Sequence, residues 1–362
     1  MENIFIKFIL AGGTILMAFN IAGLLTWVER KQSAVMQDRI GANRAKIFGL
    51  RLFGLFHILA DAIKMLAKEN FVPKHADKFL YQLAPIVSVF FAILAFAAIP
   101  FGDKLTIGSV TIPLQGMDLN IGLLYIFAML SLGVYGVILG GFSSQSNYSF
   151  LGGLRASSQL ISYEITIGVA ILGLIMVFGT LNLNEIVRAQ GAYLWGAIPK
   201  WGIVVQPLAF FLFLTAAIAE TKRIPFDLPE GESEIIGYFL EYSGMRFGMF
   251  FLTDFLETIL VACLMTTLFF GGWQVPGLFQ DGFHFLDGTS WLLPALAVSL
   301  IGVAAFMIKV LFFCWFLMTI RWTLPRFRYD QLMHLGWTIL FPLSIANIFV
   351  TGVVILSMSG VK

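Results

Sequence analysis

The chain has 362 residues, of which 59% are hydrophobic and only 12% charged. A soluble domain carries roughly 25% charged residues to cover its surface, so half that density means that most of the outer surface meets lipid. The net charge of +2 is too small to argue for a nucleic-acid partner. A crossing helix needs about 20 apolar residues to span roughly 30 Å of hydrocarbon. Apolar runs at 4–27, 80–100, 120–142, 158–179, 203–220, 247–271, 294–319 and 334–358 meet or approach that length. Helix is the form expected for all of them, because an open strand in lipid leaves its backbone groups unsatisfied. The expected fold is an all-α integral membrane protein of about eight transmembrane helices, forming one membrane domain over 1–362. The first run ends in Glu29-Arg30-Lys31 with no small-residue cleavage site, and reads as a retained helix.

Eight crossings put both termini on one side, and Lys and Arg decide which. The loops after runs one, three, five and seven hold 17 of the 23 Lys and Arg residues. This bias assigns those loops to the cytoplasm and both termini to the outside. The longest such loop, 28–79, contains an amphipathic segment in which Phe53, Phe56, Leu59, Ala60, Ile63 and Ala67 share a helical face. The pattern predicts a helix lying in the interface plane with Lys64 and Lys68 toward headgroups, or one packed on a partner protein.

Run four is preceded by Gly152-Gly153, which permits a tight turn, among small residues that allow close helix approach, and carries Glu164 about two turns in. Glu is too short to reach water from that depth, so a polar interior is expected around it. The densest feature is the acidic loop 220–246 with the start of run six. From Glu220 to Glu257 it holds Glu220, Asp227, Glu230, Glu232, Glu234, Glu241, Asp254 and Glu257 against Lys222, Arg223 and Arg246. Crowded carboxylates cannot all ionise easily, and groups poised that way exchange protons at working pH. Asp254 and Glu257 are three residues apart on one helix face, roughly 10–15 Å into run six. Ionisable groups at that depth point to function, with ion pairing to Lys309 or a neighbouring arginine as the alternative. Lys309 lies inside run seven, where a carboxylate, water or loss of its charge must accompany it.

Arginines from three loops (Arg30, Arg39, Arg44, Arg223, Arg321, Arg326 and Arg328) share one side with Trp27, Phe226, Trp322, Phe327 and Tyr329. Anionic headgroups explain such arginines singly. Together with the aromatic residues they also suit a pocket for a flat, carbonyl-bearing molecule. Cys263 and Cys314 lack CxxC spacing, the four histidines lack metal-ligand spacing, and no phosphate-binding glycine motif occurs. Haem, iron–sulfur and nucleotide sites within this chain are therefore not expected. No internal repeat of the secondary-transporter kind is visible.

Several strings now resemble one family. They include Val28-Glu29-Arg30-Lys31, Ala60-Asp61-Ala62, Arg155-Ala156 with Gln159 and Ser162-Tyr163-Glu164, Glu220-Thr221, Pro225-Phe226-Asp227-Leu228, Glu230-Gly231-Glu232-Ser233-Glu234, Glu241-Tyr242-Ser243-Gly244 and Leu324-Pro325-Arg326-Phe327-Arg328-Tyr329-Asp330. These resemble the H subunit of complex I, the proton-pumping NADH:quinone oxidoreductase, from the first run to the last. The resemblance implies a membrane component that forms much of the quinone tunnel and links quinone reduction to proton movement. On matching positions, Arg30, Arg39, Asp61, Arg223, Phe226 and Arg321 would border the quinone path. Glu164, Glu220, Asp227, Glu230, Glu232, Glu234, Glu241 and Glu257 would form the acidic link toward antiporter-like subunits, with Lys309 added from its place in run seven. Quinone would be substrate, with no cofactor held permanently by this chain. FMN and iron–sulfur clusters are expected on hydrophilic partner subunits.

The expected location is the bacterial inner membrane, with the mitochondrial inner membrane as the alternative. The chain is expected to catalyse nothing alone. Alternative readings are the matching component of a membrane-bound hydrogenase or formate- or ferredoxin-linked complex, and a stand-alone ion transporter. Three departures from the family pattern stand out: Ala42 in place of proline, Lys222 in place of asparagine, and a stretch between Glu234 and Glu241 one residue shorter.

Overall fold

Backbone groups in lipid find no water to bond, and the apolar runs satisfy theirs internally as helices. The computed structural model describes residues 4–107, 110–194, 198–229, 231, 237–279, 281–284 and 290–359. The chain opens with α1 (Ile4–Met36), the amphipathic α2 (Phe56–Ala67) and α3 (Lys78–Phe96). A hairpin of β1 (Pro100–Ile107) and β2 (Val110–Gln115) follows, then α4 (Gly122–Ser143), α5 (Asn147–Phe178) and α6 (Leu183–Ala189). The short strands β3 (Tyr193–Leu194) and β4 (Ile198–Pro199) lead to α7 (Gly202–Val205) and α8 (Pro207–Glu220). Next come α9 (Gly244–Phe269), the antiparallel β5 (Leu278–Phe279), β6 (Gly282–His284) and β7 (Ser290–Leu292), and α10 (Ala295–Thr323). The last crossing joins α11 (Tyr329–His334) through a π-helical stretch, Leu335–Leu340, to α12 (Phe341–Ser359).

The protein is all-α in its membrane part. Among the described residues seven helices are long and apolar enough to cross a membrane, and α8 is an additional apolar helix of 14 residues. The helix ends are set by local chemistry. The Asp77 carboxylate accepts from the amides of Phe79 and Leu80 (3.0 and 3.2 Å) to start α3. Pro207 begins α8, where a missing N–H costs nothing. Gly179, at φ +71°, ends α5 in the left-handed conformation.

The central pillar is α9, buried almost continuously from Thr253 to Phe269. Two-thirds of its most apolar window is buried, against 22% for α1, α10 and the last crossing, which turn apolar side chains outward. Hence α9 can carry carboxylates well inside the protein, while the outer helices present Leu16, Phe349 and Leu356 to lipid.

Gly152 and Gly153 lie within α5 and make no turn, because the helix begins eleven residues ahead of the predicted run. Their role is close approach. A Cβ on Gly153 would sit 3.3 Å from the Gly141 Cα of α4, and one on Gly152 would sit 2.8 Å from the Tyr238 amide. Small residues here let α4 and the 237–242 segment seat against α5. The Tyr163 hydroxyl donates to the Leu332 carbonyl (2.8 Å), and the Trp337 indole donates to Ser162 (3.1 Å), fastening α5 to the π-helical crossing.

The expected amphipathic helix is present. In α2, Leu59, Ile63 and Leu66 are exposed, whereas Ile58 and Met65 pack inward against Gly23 and Gly248. Helix α1 runs nine residues past the predicted run, since nothing between Leu24 and Met36 breaks it. That extension carries Glu29, Arg30 and Ser33 on a continuous helical face. The ends of α1, α4, α8 and α10 and the starts of α3, α5, α9 and α11 gather at one end of the molecule, and the hairpins gather at the other.

Candidate functional site

At the end bearing the charged loops, α1, α9, α10 and the turn after Met36 enclose a cavity of about 470 Å³. Its walls include Glu29, Arg30, Arg39, Phe251, Phe255 and Trp322. The volume suits a drug-sized or cofactor-sized molecule, and the mix of flat rings with a few convergent charges is the usual make-up of such a site. A larger cavity, about 650 Å³, opens at the hairpin end around Asp103, Arg188, Trp201 and Gln274. The ion pair on its wall, Arg188 to Asp103 (2.6 Å), has an arginine about half exposed. The smaller cavity gathers the buried charges and is therefore the candidate site.

Glu29 is the hub of that charge set. One carboxylate oxygen accepts from Arg321 at 2.6 Å and the other from Arg223 at 3.3 Å. The Arg223 guanidinium also lies over the Phe255 ring at 4.4 Å, and it is only 7% exposed at the side chain. Cation–π contact and the carboxylate together hold that arginine in one pose. Arg30 pairs with Asp61 of α2 at 2.6 Å, which ties the interface helix to the cavity rim. Sequence reasoning named Arg30, Arg39, Asp61, Arg223 and Arg321 and missed Glu29, which read as the charged end of a helix. The unbroken α1 was the available signal, since it sets Thr26, Glu29, Arg30 and Ser33 on one face.

Phe226 is not on the cavity wall. It is 3% exposed, stacked on Phe327 (5.3 Å between centroids) and beside Tyr163 (5.9 Å). Gln159, fully buried in α5, donates to the carbonyls of Ala219 and Phe226 (2.7 and 2.8 Å). This amide pins the turn after α8, a role that sequence reasoning did not assign. Asp227 pairs with Arg326 at 3.0 Å. Burial pushes its carboxyl from 3.8 up to about 6, against the pull of Arg326 and Arg321.

The acidic residues form a second cluster directly behind the cavity. Lys222 puts its ammonium 3.0 Å from Asp254 and 3.2 Å from Glu257. Burial opposes that charge, but the carboxylates of Asp254 and Glu257 outweigh it and hold the ammonium well above its ordinary range. Glu220 lies within electrostatic reach of Glu257 on one side and Glu164 on the other. Glu164 accepts from the Ser131 hydroxyl of α4. Asp254 in turn is felt by Asp227. Asp227, Asp254, Lys222, Glu257, Glu220 and Glu164 thus make one run of buried and half-buried charge across α9, the end of α8 with its following loop, and α5.

Other expectations meet different geometry. The partner of Asp254 and Glu257 is Lys222, not Lys309. The Lys309 ammonium donates to the carbonyls of Phe270, Gly272 and Gln274 (2.8, 2.9 and 2.7 Å) and faces the Trp201 ring at 5.0 Å. Its support comes from the C-terminal end of α9 instead of a carboxylate, as the negative end of a helix dipole permits. Glu241 lies beside Tyr81. Its carbonyl accepts from Tyr81 (2.7 Å), whose ring stacks on Tyr242 at 4.0 Å. Glu230, Glu232 and Glu234 lie outside the described residues.

A family model described as NADH dehydrogenase matches residues 9–352. The first of the numbered NADH-quinone oxidoreductase H subunits of Cytophaga hutchinsonii is 45% identical over 337 residues, covering 93% of this chain and 92% of the relative. The H subunit of the Thermomicrobium roseum NADH-quinone oxidoreductase is 46% identical over 334 residues (91% and 90%). The first numbered H subunit of Geobacter metallireducens is 46% identical over 333 residues (92% and 91%).

Proposed function

The chain belongs to the NADH dehydrogenase family as an H subunit of NADH-quinone oxidoreductase, respiratory complex I, and on that premise we propose that its charged cavity is a stretch of the quinone path. A quinone headgroup is flat and carries two carbonyl oxygens. Phe251, Phe255 and Trp322 offer surfaces for the ring, and Arg30 and Arg39 offer donors for the oxygens. The apolar outward face of α2, tied to the rim by the Arg30–Asp61 pair, would meet lipid where the quinone tail enters.

The observation that carries the reading is the direct junction between cavity and acidic run. Arg223 reaches Glu29 on the cavity wall, and its chain neighbour Lys222 reaches Asp254 and Glu257. Reduction of a quinone adds two electrons and draws two protons. A change of charge in the cavity would be felt by Arg223 first, at low effective dielectric, and by the carboxylates of Asp254 and Glu257 next. Glu220 and Glu164 would extend the path toward antiporter-like subunits, with Asp227 at the cavity side and Glu230, Glu232 and Glu234 in the same loop. Phe226 would border the path by holding that loop in shape.

In this reading the redox centres, FMN and iron–sulfur clusters, belong to hydrophilic partner subunits, and the chain has no activity alone. It would lie in a bacterial inner membrane as one membrane domain, with residues 28–79 and 220–246 in the cytoplasm and both termini outside.

The test is NADH:quinone reductase activity of the native complex containing this chain, with and without a quinone-site inhibitor. Inhibitor-sensitive NADH oxidation with acidification of the outer side supports the reading. Hydrogen- or formate-linked activity without quinone reduction would move the chain to the hydrogenase branch and overturn it.

A further inference from the structure

We propose that Lys222 is a fixed internal counter-ion, seated between Asp254 and Glu257 where an exchangeable proton would otherwise sit. The cation that balances the two carboxylates is thereby part of the chain itself.

Two carboxylates one helical turn apart and away from water cannot both stay ionised unaided. Either a proton or a cation must be held between them. The cation here is covalently part of the chain. Lys222 is 1% exposed, and its ammonium lies within ion-pair distance of both carboxylates at once. Its backbone takes φ +54°, a left-handed conformation that non-glycine residues adopt at a cost. That turn sends Lys222 inward to α9 and leaves Arg223 to run the other way, to Glu29 and Phe255. A proton or free ion held between two carboxylates can leave the site, whereas the tethered lysine side chain cannot.

Other charged and titratable groups face this site. Arg223 adds positive charge beside Glu257, and Tyr238 and Asp227 approach from the following loop. Glu220, at the end of α8, lies within electrostatic reach of Glu164, Glu257 and Lys222. Glu164 has the neutral Ser131 hydroxyl as its donor.

The functional half of the proposal rests on the coupling role proposed above, whereas the charge balance does not. The test uses the whole complex carrying Lys222→Met, Lys222→Arg, or Lys222→Met with Asp254→Asn. Thermal midpoint of the assembled complex and protons translocated per NADH are read for each. Lys222→Met strands a buried charge and should lower both several-fold or by several degrees, or prevent assembly. Removing one carboxylate along with the cation should restore the midpoint and assembly, and Lys222→Arg should keep most of both readouts. The proposal is overturned by a Lys222→Met complex indistinguishable from the unmodified one, or by a double variant no better than the single. Absence of quinone reduction in the unmodified complex ends the quinone reading, but the midpoints and assembly of the three variants still decide the charge balance.

Discussion

Replacing Glu29 by glutamine removes a charge and keeps the shape, which makes it the sharpest probe of the cavity. The carboxylate is 12% exposed and faces two guanidinium groups, at 2.6 and 3.3 Å. Breaking a buried ion pair costs about 3–5 kcal/mol, because a charge is left without its partner. Arg321 is 21% exposed at the side chain, so water screens part of its share and the lower end applies. A penalty of about 3 kcal/mol on the assembled cavity corresponds to roughly a hundredfold in an equilibrium. If only the assembled cavity accepts quinone, the apparent affinity falls by the fraction of molecules that lose it. Glu29→Gln should therefore raise the KM for a short-chain quinone by one to two orders of magnitude. NADH oxidation by an artificial acceptor, which bypasses this chain, should be unchanged. A KM within twofold of the unmodified complex, at normal assembly, would refute the hub role of Glu29.

Burial raises Asp227 from 3.8 to about 6, so the folded chain binds the extra proton. Its contribution to stability is full below about 4 and is lost as pH rises through about 6, on the order of 3 kcal/mol in all. Asp227→Asn should flatten the pH dependence of the thermal midpoint between those limits, and an unchanged slope would contradict the assignment. Gln159→Leu leaves the carbonyls of Ala219 and Phe226 without donors, at about 1–3 kcal/mol each in a buried setting. It should loosen the turn after α8, seen as faster proteolysis there and weaker inhibitor binding. Lys309→Met frees three carbonyls at the end of α9 and should lower the thermal midpoint at any pH. Loss of proton pumping at an unchanged midpoint would instead put Lys309 on a proton route.

The helices were legible because apolar runs are local: a segment that must satisfy its own backbone in lipid announces its length and position. The amphipathic α2 was legible for the same reason, since its face repeats within one turn and a half. Its neighbour α1 was cut short, because Glu29, Arg30 and Lys31 end the apolar run without ending the helix. The β-hairpins at the far end were not foreseen, since short strands among Gly and Pro carry little periodic signal.

The candidate residues were found by type and by resemblance, but their pairings were not. Glu29, Arg223 and Arg321 come from three segments separated by up to nearly three hundred residues, and no local pattern encodes which charge meets which. Lys309 and Lys222 show this most plainly. Lys309 lies in an apolar run and was expected to find a carboxylate or water or to lose its charge, and the partners it finds are the backbone carbonyls at the end of a neighbouring helix. Lys222 lies in a loop and stood out only as a lysine in place of asparagine, yet it is buried between Asp254 and Glu257. By itself the sequence determined that this is a multi-helix membrane protein with its charged chemistry at one end. Which buried charge neutralises which was decided only by the tertiary structure, because that depends on the distance between helices, and distances are set by packing.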